Sequence, residues 1–218
     1  MGAELKKTNR TSISRHAERG SYDREAAYAI LDEALVAHVG VDTGNGVMVI
    51  PMTYARSGDE LILHGAVASR WLSSFEQGRD ICACVTLLDG LVLARSAFSH
   101  SMNYRSVVAF GTATVITDPA EKMRAFEALT DHLMPGRWDD TRQPDSKEIG
   151  ATTVLRMTID EASVKARVGD PVDAAKDYDL GYWAGVLPLS LEAGDPIPDT
   201  KMDGNREVPD YVSDYTRK

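Results

Sequence analysis

Hydrophobic and polar positions follow two rhythms along this chain. The first is helical. Asp23 can cap a segment whose apolar positions Ala26, Ala27, Ile30, Leu31, Ala34 and Leu35 recur at helical spacing, which predicts a helix to about His38. Asp118-Pro119-Ala120-Glu121 opens another, with a cap, a proline at the first helical position and an acid three residues past the cap. Met123, Phe126, Leu129 and Leu133 are its apolar stripe. Elsewhere the rhythm is that of strands. Residues 47–54 are apolar and β-prone after turn chemistry at 42–46, and Pro51 marks an edge or a bulge because it has no N–H for a ladder. Ser57-Gly58-Asp59 turns the chain back into 61–64. Residues 69–77 read as a short helix. Residues 81–87 and 91–95 predict a hairpin through Asp89-Gly90, 105–116 a long strand, and 152–159 with 163–168 a second hairpin. Closely spaced strands and few helices favour an antiparallel sheet closed into a barrel over a parallel βαβ array. The expected class is α+β, mainly β, with peripheral helices.

Three zones follow from composition along the chain. Residues 1–20 form a basic leader (Lys6, Lys7, Arg10, Arg15, Arg19) expected to be flexible, and 21–190 form the folded body. Residues 191–218 form an acidic tail punctuated by Pro196, Pro198 and Pro209. With 218 residues, 43% hydrophobic, the chain suffices for one mid-sized core. No apolar run approaches the roughly 18–20 residues that span a bilayer. The leader has no apolar stretch of the secretory kind. Cys82 and Cys84 sit two apart on one face of a strand-like run, unsuited to a disulfide, so a reducing, cytoplasmic setting is expected. The net charge of −9, from 33 acidic and 24 basic residues, argues against general nucleic-acid binding. It leaves room for an anionic cofactor held by local cations.

Several common sites are excluded by spacing. Gly44-Asn45-Gly46 starts like a dinucleotide fingerprint, but Val49 stands where the third glycine belongs. There is no phosphate-binding GxxxxGK run, no GxSxG elbow and no HExxH pair among the five histidines. Three polar segments remain. In the first, from His64-Gly65 to Ser69-Arg70-Trp71, a strand passes through small residues into a helix mouth. Free N–H groups, a serine and a guanidinium there suit a phosphate, while a serine cap beside a surface arginine is the plainer alternative. The second, residues 94–106, is dense in hydrogen-bonding groups between apolar strands. The third, residues 181–189, is aromatic and amphipathic, fitting a ligand lid, a subunit contact or plain core packing.

Together these segments resemble the pyridoxamine 5′-phosphate oxidase-related flavin-binding split barrels, and within them the nitroimidazole-reductase-like branch. The resemblance rests on His64-Gly65 through Ser69-Arg70, on residues 88–96, on His100-Ser101-Met102-Asn103-Tyr104-Arg105-Ser106, and on Trp183-Ala184-Gly185. It implies a six-stranded antiparallel split barrel that forms a homodimer, with FMN (FAD as the alternative) in clefts between subunits. It also implies that Ser69 and Arg70 hold the flavin phosphate. Oxidases of the group place a lysine where this chain has Trp71, so Arg105 is the candidate replacement cation. Met52, Thr53 and Tyr54 would lie along the flavin ring, and Ser106 and Trp183 are further cofactor contacts. His100 and Tyr104 are the candidate catalytic groups facing a small electrophile, with NADH or NADPH as electron donor and no metal. The oxidases' arginine-rich C-terminal substrate segment is absent, which argues against pyridoxamine phosphate oxidation itself. The alternatives are a non-catalytic flavin-binding or buffering protein and a split barrel that binds haem or a deazaflavin. A haem would need an axial histidine, His64 or His100.

Overall fold

The computed structural model describes residues 4–67, 80–202 and 206–216. The predicted short helix with Ser69, Arg70 and Trp71 lies outside the described residues. Helix α1 (Arg24–Glu33) begins on Asp23, whose carboxylate accepts the Ala26 N–H, and it buries Ala27, Ile30 and Leu31. It ends several residues before the expected boundary. From Val36 onward the pattern has a period of two, with Ala37, Val39 and Val41 buried and their neighbours turned out, so Val36–Asp42 is a strand, β2. Helix α2 (Pro119–Leu133) starts at the Asp118 cap as expected. A helix not anticipated, α3 (Ser146–Ala151), is held by a capping box between Asp145 and Glu148. A last turn, α4 (Asp210–Ser213), lies in the tail.

The remaining strands are β1 (Gly20–Ser21), β3 (Val47–Ser57), β4 (Glu60–Ala66), β5 (Asp80–Leu93), β6 (Ser101–Ile116), β7 (Thr152–Thr158), β8 (Glu161–Arg167) and β9 (Gly185–Pro188). All pairings are antiparallel. β2, β3, β4, β7, β6 and β5 pair in that order, and the β5–β2 pairing closes a ring of six strands. β8 pairs with β6, β1 with β8, and β9 with β5, outside the ring. The mainly β antiparallel class therefore stands, with three further strands beside the six expected.

Neither predicted hairpin forms. β5 runs unbroken through Asp89-Gly90, which form a register shift against β6 in place of a turn. β7 and β8 do not pair with each other. β6 is 16 residues long and offers successive edges, pairing with β8 over 104–110 and with β7 over 113–116. At this change of partner sits Gly111, where a Cβ would stand 2.9 Å from Met157 Cγ and 3.2 Å from the Thr158 carbonyl oxygen. Glycine lets β7 cross closely over β6.

The main core fills the ring with Tyr54, Leu61, Leu63, Val85, Val107, Leu155 and Met157. A smaller cluster, Ala55, Ile62, Ile116, Ala125, Leu129 and Val154, seats α2 on the outside of β3 and β4. From Glu4 onward the leader lies against the sheet. Leu5 is buried and donates its N–H to the Tyr22 carbonyl, and Arg10 pairs with Asp80 at 2.7 Å and with Glu161. Among the described residues, no helix is long and apolar enough to cross a membrane.

Two tests follow. Gly111→Val should cost about 1–3 kcal/mol in urea unfolding, since β7 must move to admit the side chain. Hydrogen bonds from Arg10 and Thr8 pull the Glu161 carboxyl down to about 2 from 4.5. A carboxylate depressed on folding contributes stability above its unfolded value and loses it as pH falls through the folded one. Stability should therefore drop between about pH 4.5 and 2 more steeply in the parent than in Glu161→Gln, and parallel pH profiles would show that the leader is not anchored there.

Candidate functional site

The ring is open at one place. The β3–β4 ladder runs from Ser57↔Glu60 to Tyr54↔Leu63 and stops. Continuing its register would set Thr53 against His64 and Met52 against Gly65. Instead β3 goes on with β2 alone, and β4 goes on with β7 alone. The two strands diverge as a fork, and their facing main-chain edges have no strand partner among the described residues. Unpaired N–H and C=O groups at a sheet edge are ready donors and acceptors for a ligand. His64 stands at this fork with its Nδ1 buried and without a hydrogen-bond partner among the described residues. Burial holds its pKa below the ordinary histidine value, so the ring is neutral near pH 7.

Met52, Thr53, Tyr54, His64 and Gly65, all expected at the site, thus converge at the fork. Their side chains divide by strand alternation. Met52 is buried in the core, and Tyr54 is fully buried with its hydroxyl on the Leu31 carbonyl at 2.5 Å and its ring 5.0 Å from His132. Neither side chain can line an exposed ring, which corrects that part of the expectation. Only the main chain of β3, Thr53, and the exposed Val49 and Pro51 are available there.

A second group gathers where β5 passes into β6. Asp173, whose carboxylate is fully covered, accepts the backbone N–H of Arg95 and of Ser96 and an Nη1–H of Arg95 at 3.3 Å. The Arg95 guanidinium in turn lies 5.1 Å from the Tyr178 ring. The short helical turn Ala97–Ser99 is capped by Ser96 Oγ, and the Ser96 carbonyl lies 2.9 Å from His100 Nδ1. A carbonyl oxygen only accepts, so Nδ1 carries the proton and Nε2 is left as a bare acceptor on an exposed ring. Loop 94–100 is therefore a rigid mount for one imidazole. Trp183, itself 69% exposed, leans over Gly185 at the edge of β5, where a Cβ would come within 2.9 Å of the indole. Asp173 carries no motif signal; only the fold brings it under this loop.

The Asn103-Tyr104-Arg105-Ser106 run proves to be largely structural. Asn103 is buried, accepting from Arg167 and donating to the Gly169 carbonyl at 3.2 Å. Ser106 Oγ donates to the Lys165 carbonyl. Arg105 bridges two carboxylates: Nε and Nη2 reach Asp89 at 3.0 and 2.8 Å, while Nη1 and Nη2 reach Glu33. Its hydrogen bonds to Glu33 and Asp89 push its pKa up, and four of its five N–H donors are occupied. Arg105 was expected to supply the missing phosphate cation. Two anions already compensate its charge in this structure. Tyr104 is half-buried beside Arg167 across the β6–β8 ladder, and its hydroxyl has no partner among the described residues.

Comparison with known proteins agrees with this geometry. The family model described as pyridoxamine 5′-phosphate oxidase matches residues 23–166. The chain belongs to that family. Among solved structures, the flavocytochrome Anf3 from Azotobacter vinelandii is 38% identical, with 97% of this chain and 98% of that one covered and a TM-score of 0.91. The FAD and heme binding protein from Mycobacterium smegmatis is 36% identical, over 91% of this chain and 98% of that one, with a TM-score of 0.87. A putative 5-nitroimidazole antibiotic resistance protein from Bacteroides thetaiotaomicron, 22% identical over 67% of this chain and 85% of its own, shares the fold at a TM-score of 0.57. Among curated proteins, none matches.

The role of Arg105 is testable by itself. Arg105→Met removes the guanidinium that bridges Glu33 and Asp89, and should cost about 1–2 kcal/mol at neutral pH, the pair being partly solvated. A variant as stable as the parent in denaturant unfolding would release Arg105 from this structural role.

Proposed function

We propose that this chain is a flavin-dependent oxidoreductase that holds FAD along the β3–β4 fork and carries haem as a second redox centre. The observation that supports this most is the fork itself, an interrupted ladder with a neutral His64, unpartnered among the described residues, at its mouth. The near-full-length likeness to a flavocytochrome and to a FAD and heme binding protein supports the choice of groups. FAD is preferred here to FMN on that likeness. A bound flavin takes two electrons as a hydride and releases them singly or in pairs.

The chain's own residues would do the rest. Main-chain groups of residues 49–53 hold the flavin's polar edge, and the family resemblance gives Ser69 and Arg70 to the phosphate end. His100 would hold the haem iron through Nε2, since its Nδ1–H is committed to a backbone carbonyl and the residue is exposed. If that position takes a small electrophile in place of haem, the two electrons passed to it would be balanced by a proton donated from protonated His100 or from the Tyr104 hydroxyl. The donor of electrons is a reduced nicotinamide. A homodimer is supported by the outer face of β3, β2 and β5. Val47 and Val49 are 78% and 61% exposed there, and Gly40, Cys82 and Cys84 make a smooth surface beside them.

Absorbance of the purified protein should show flavin bands together with a Soret band, and mass analysis of the released ligands should return FAD. A spectrum with neither set of bands would reject the proposal, and FMN in place of FAD would correct the flavin. His100→Ala should remove the Soret band and spare the flavin; loss of the Soret band in His64→Ala instead would move the axial role to the fork. Rapid mixing with NADH or NADPH should bleach the flavin, whereas no bleaching would favour a flavin carrier.

A further inference from the structure

Arg167 differs from the other covered arginines. Arg24, Arg56, Arg95 and Arg105 have side chains 18%, 21%, 24% and 33% exposed, and each meets at least one carboxylate within 4 Å. Arg167 is only 8% exposed and meets none among the described residues. Its hydrogen bonds go to three neutral oxygens. Nη1 donates to Asn103 Oδ1 and, at 3.0 Å, to the Gly169 carbonyl; Nη2 donates to the Asp170 carbonyl at 2.8 Å. Gly169 makes this wrap feasible: with φ at 122° it turns the chain so that two successive carbonyls face back onto the guanidinium. A cation removed from water without a counter-ion is costly, typically by several kcal/mol, and carbonyl dipoles offset only part of that.

The surroundings show where a counter-ion would enter. Arg167 lines an open cleft of about 520 Å³ with Glu18, Arg19, Val168, Asp170 and Val172. The Glu18 carboxylate is turned to His16 at 3.1 Å and to Arg19 at 3.7 Å, away from Arg167. Asp170 contributes its backbone carbonyl, and its carboxylate joins no ion pair among the described residues. Val168 and Val172 are 83% and 74% exposed on the walls. The guanidinium keeps Nε–H and one Nη2–H uncommitted, the parallel pair that a carboxylate or phosphate bridges with two oxygens.

We propose that this cleft is an anion-binding subsite. Arg167 takes a carboxylate or phosphate group in two-pronged fashion, Arg19 assists at the rim, and the two valines cover the organic body that carries the group. The site does not depend on the reading of the β3–β4 fork, and it adjoins Tyr104, the cross-strand neighbour of Arg167.

The test uses calorimetric titration of the purified full-length protein with inorganic pyrophosphate and, separately, with succinate. At least one should bind, and the one that binds names the oxyanion class. Arg167→Met should weaken that binding about tenfold or more, the loss of one charge-assisted pair of hydrogen bonds. Because that variant also frees Asn103 and Gly169 and could unfold locally, two rim variants carry the test independently. Asp170→Asn removes a nearby negative charge and should tighten binding severalfold, and Arg19→Gln should loosen it. No heat from either anion, or affinities indifferent to both Asp170→Asn and Arg19→Gln, would overturn the proposal.

Discussion

Two strands in this protein are longer than any one neighbour can cover, and the rest of the architecture follows from how they share their edges. β6 gives one edge to β5 and divides the other between β8 and β7. β3 pairs with β2 over 47–53 and with β4 over 54–57. Those two changes of partner close six strands into a ring and, at β3, leave it split. A sheet edge that stops pairing while still partly enclosed is a poor end for a fold on its own, because backbone polar groups need partners. It is a good beginning for a site. The buried His64 nitrogen, unpartnered among the described residues, lies at that same opening.

The distribution of charge follows a second logic. The chain is strongly acidic, yet its covered guanidinium groups are mostly neutralised from within. Arg105 is held between Glu33 and Asp89, Arg95 on Asp173 and Arg56 on Asp32, and the exposed Arg10 is likewise paired with Asp80 and Glu161. These pairs tie segments that are distant in sequence: leader to β5 and β8, α1 to β6, and the loop after β8 to the loop after β5. A protein that neutralises its arginines so consistently makes the exception at Arg167 informative. Covered positive charge without an internal anion marks a place where an external one can be selected.

The same bookkeeping explains why loop 94–100 is a better mount for an imidazole than its polar sequence suggests. Its backbone donors are satisfied from below by a fully covered carboxylate, so the loop does not need water to complete its bonds. One ring nitrogen of His100 is used up in orienting the ring, and the other remains. A backbone bond to one ring nitrogen fixes the ring and leaves the other nitrogen for a ligand.

What could be read without coordinates was local. The Asp23 and Asp118 caps, the turn at 42–46, the strand character of 47–54 and 105–116 and the segments that resemble a flavin-binding family each depend on residues close together in sequence. Short-range sterics and hydrogen bonding govern such features. Helix α1 was overextended because Ala34 and Leu35 continue a helical spacing, although the alternation from Val36 onward favours a strand once a neighbouring sheet can bury it. The two expected hairpins failed for a related reason: Asp89-Gly90 and 160–162 carry turn residues, but whether a chain turns or runs on depends on which edges are free. The division of Arg105 from Arg167, one spent on carboxylates and the other without any among the described residues, is beyond sequence reading, because Glu33, Asp89 and Asn103 are brought to those side chains only by the closed ring. Local chemistry thus set the elements and the family, while the pairing of distant strands decided which polar groups were left over for a ligand.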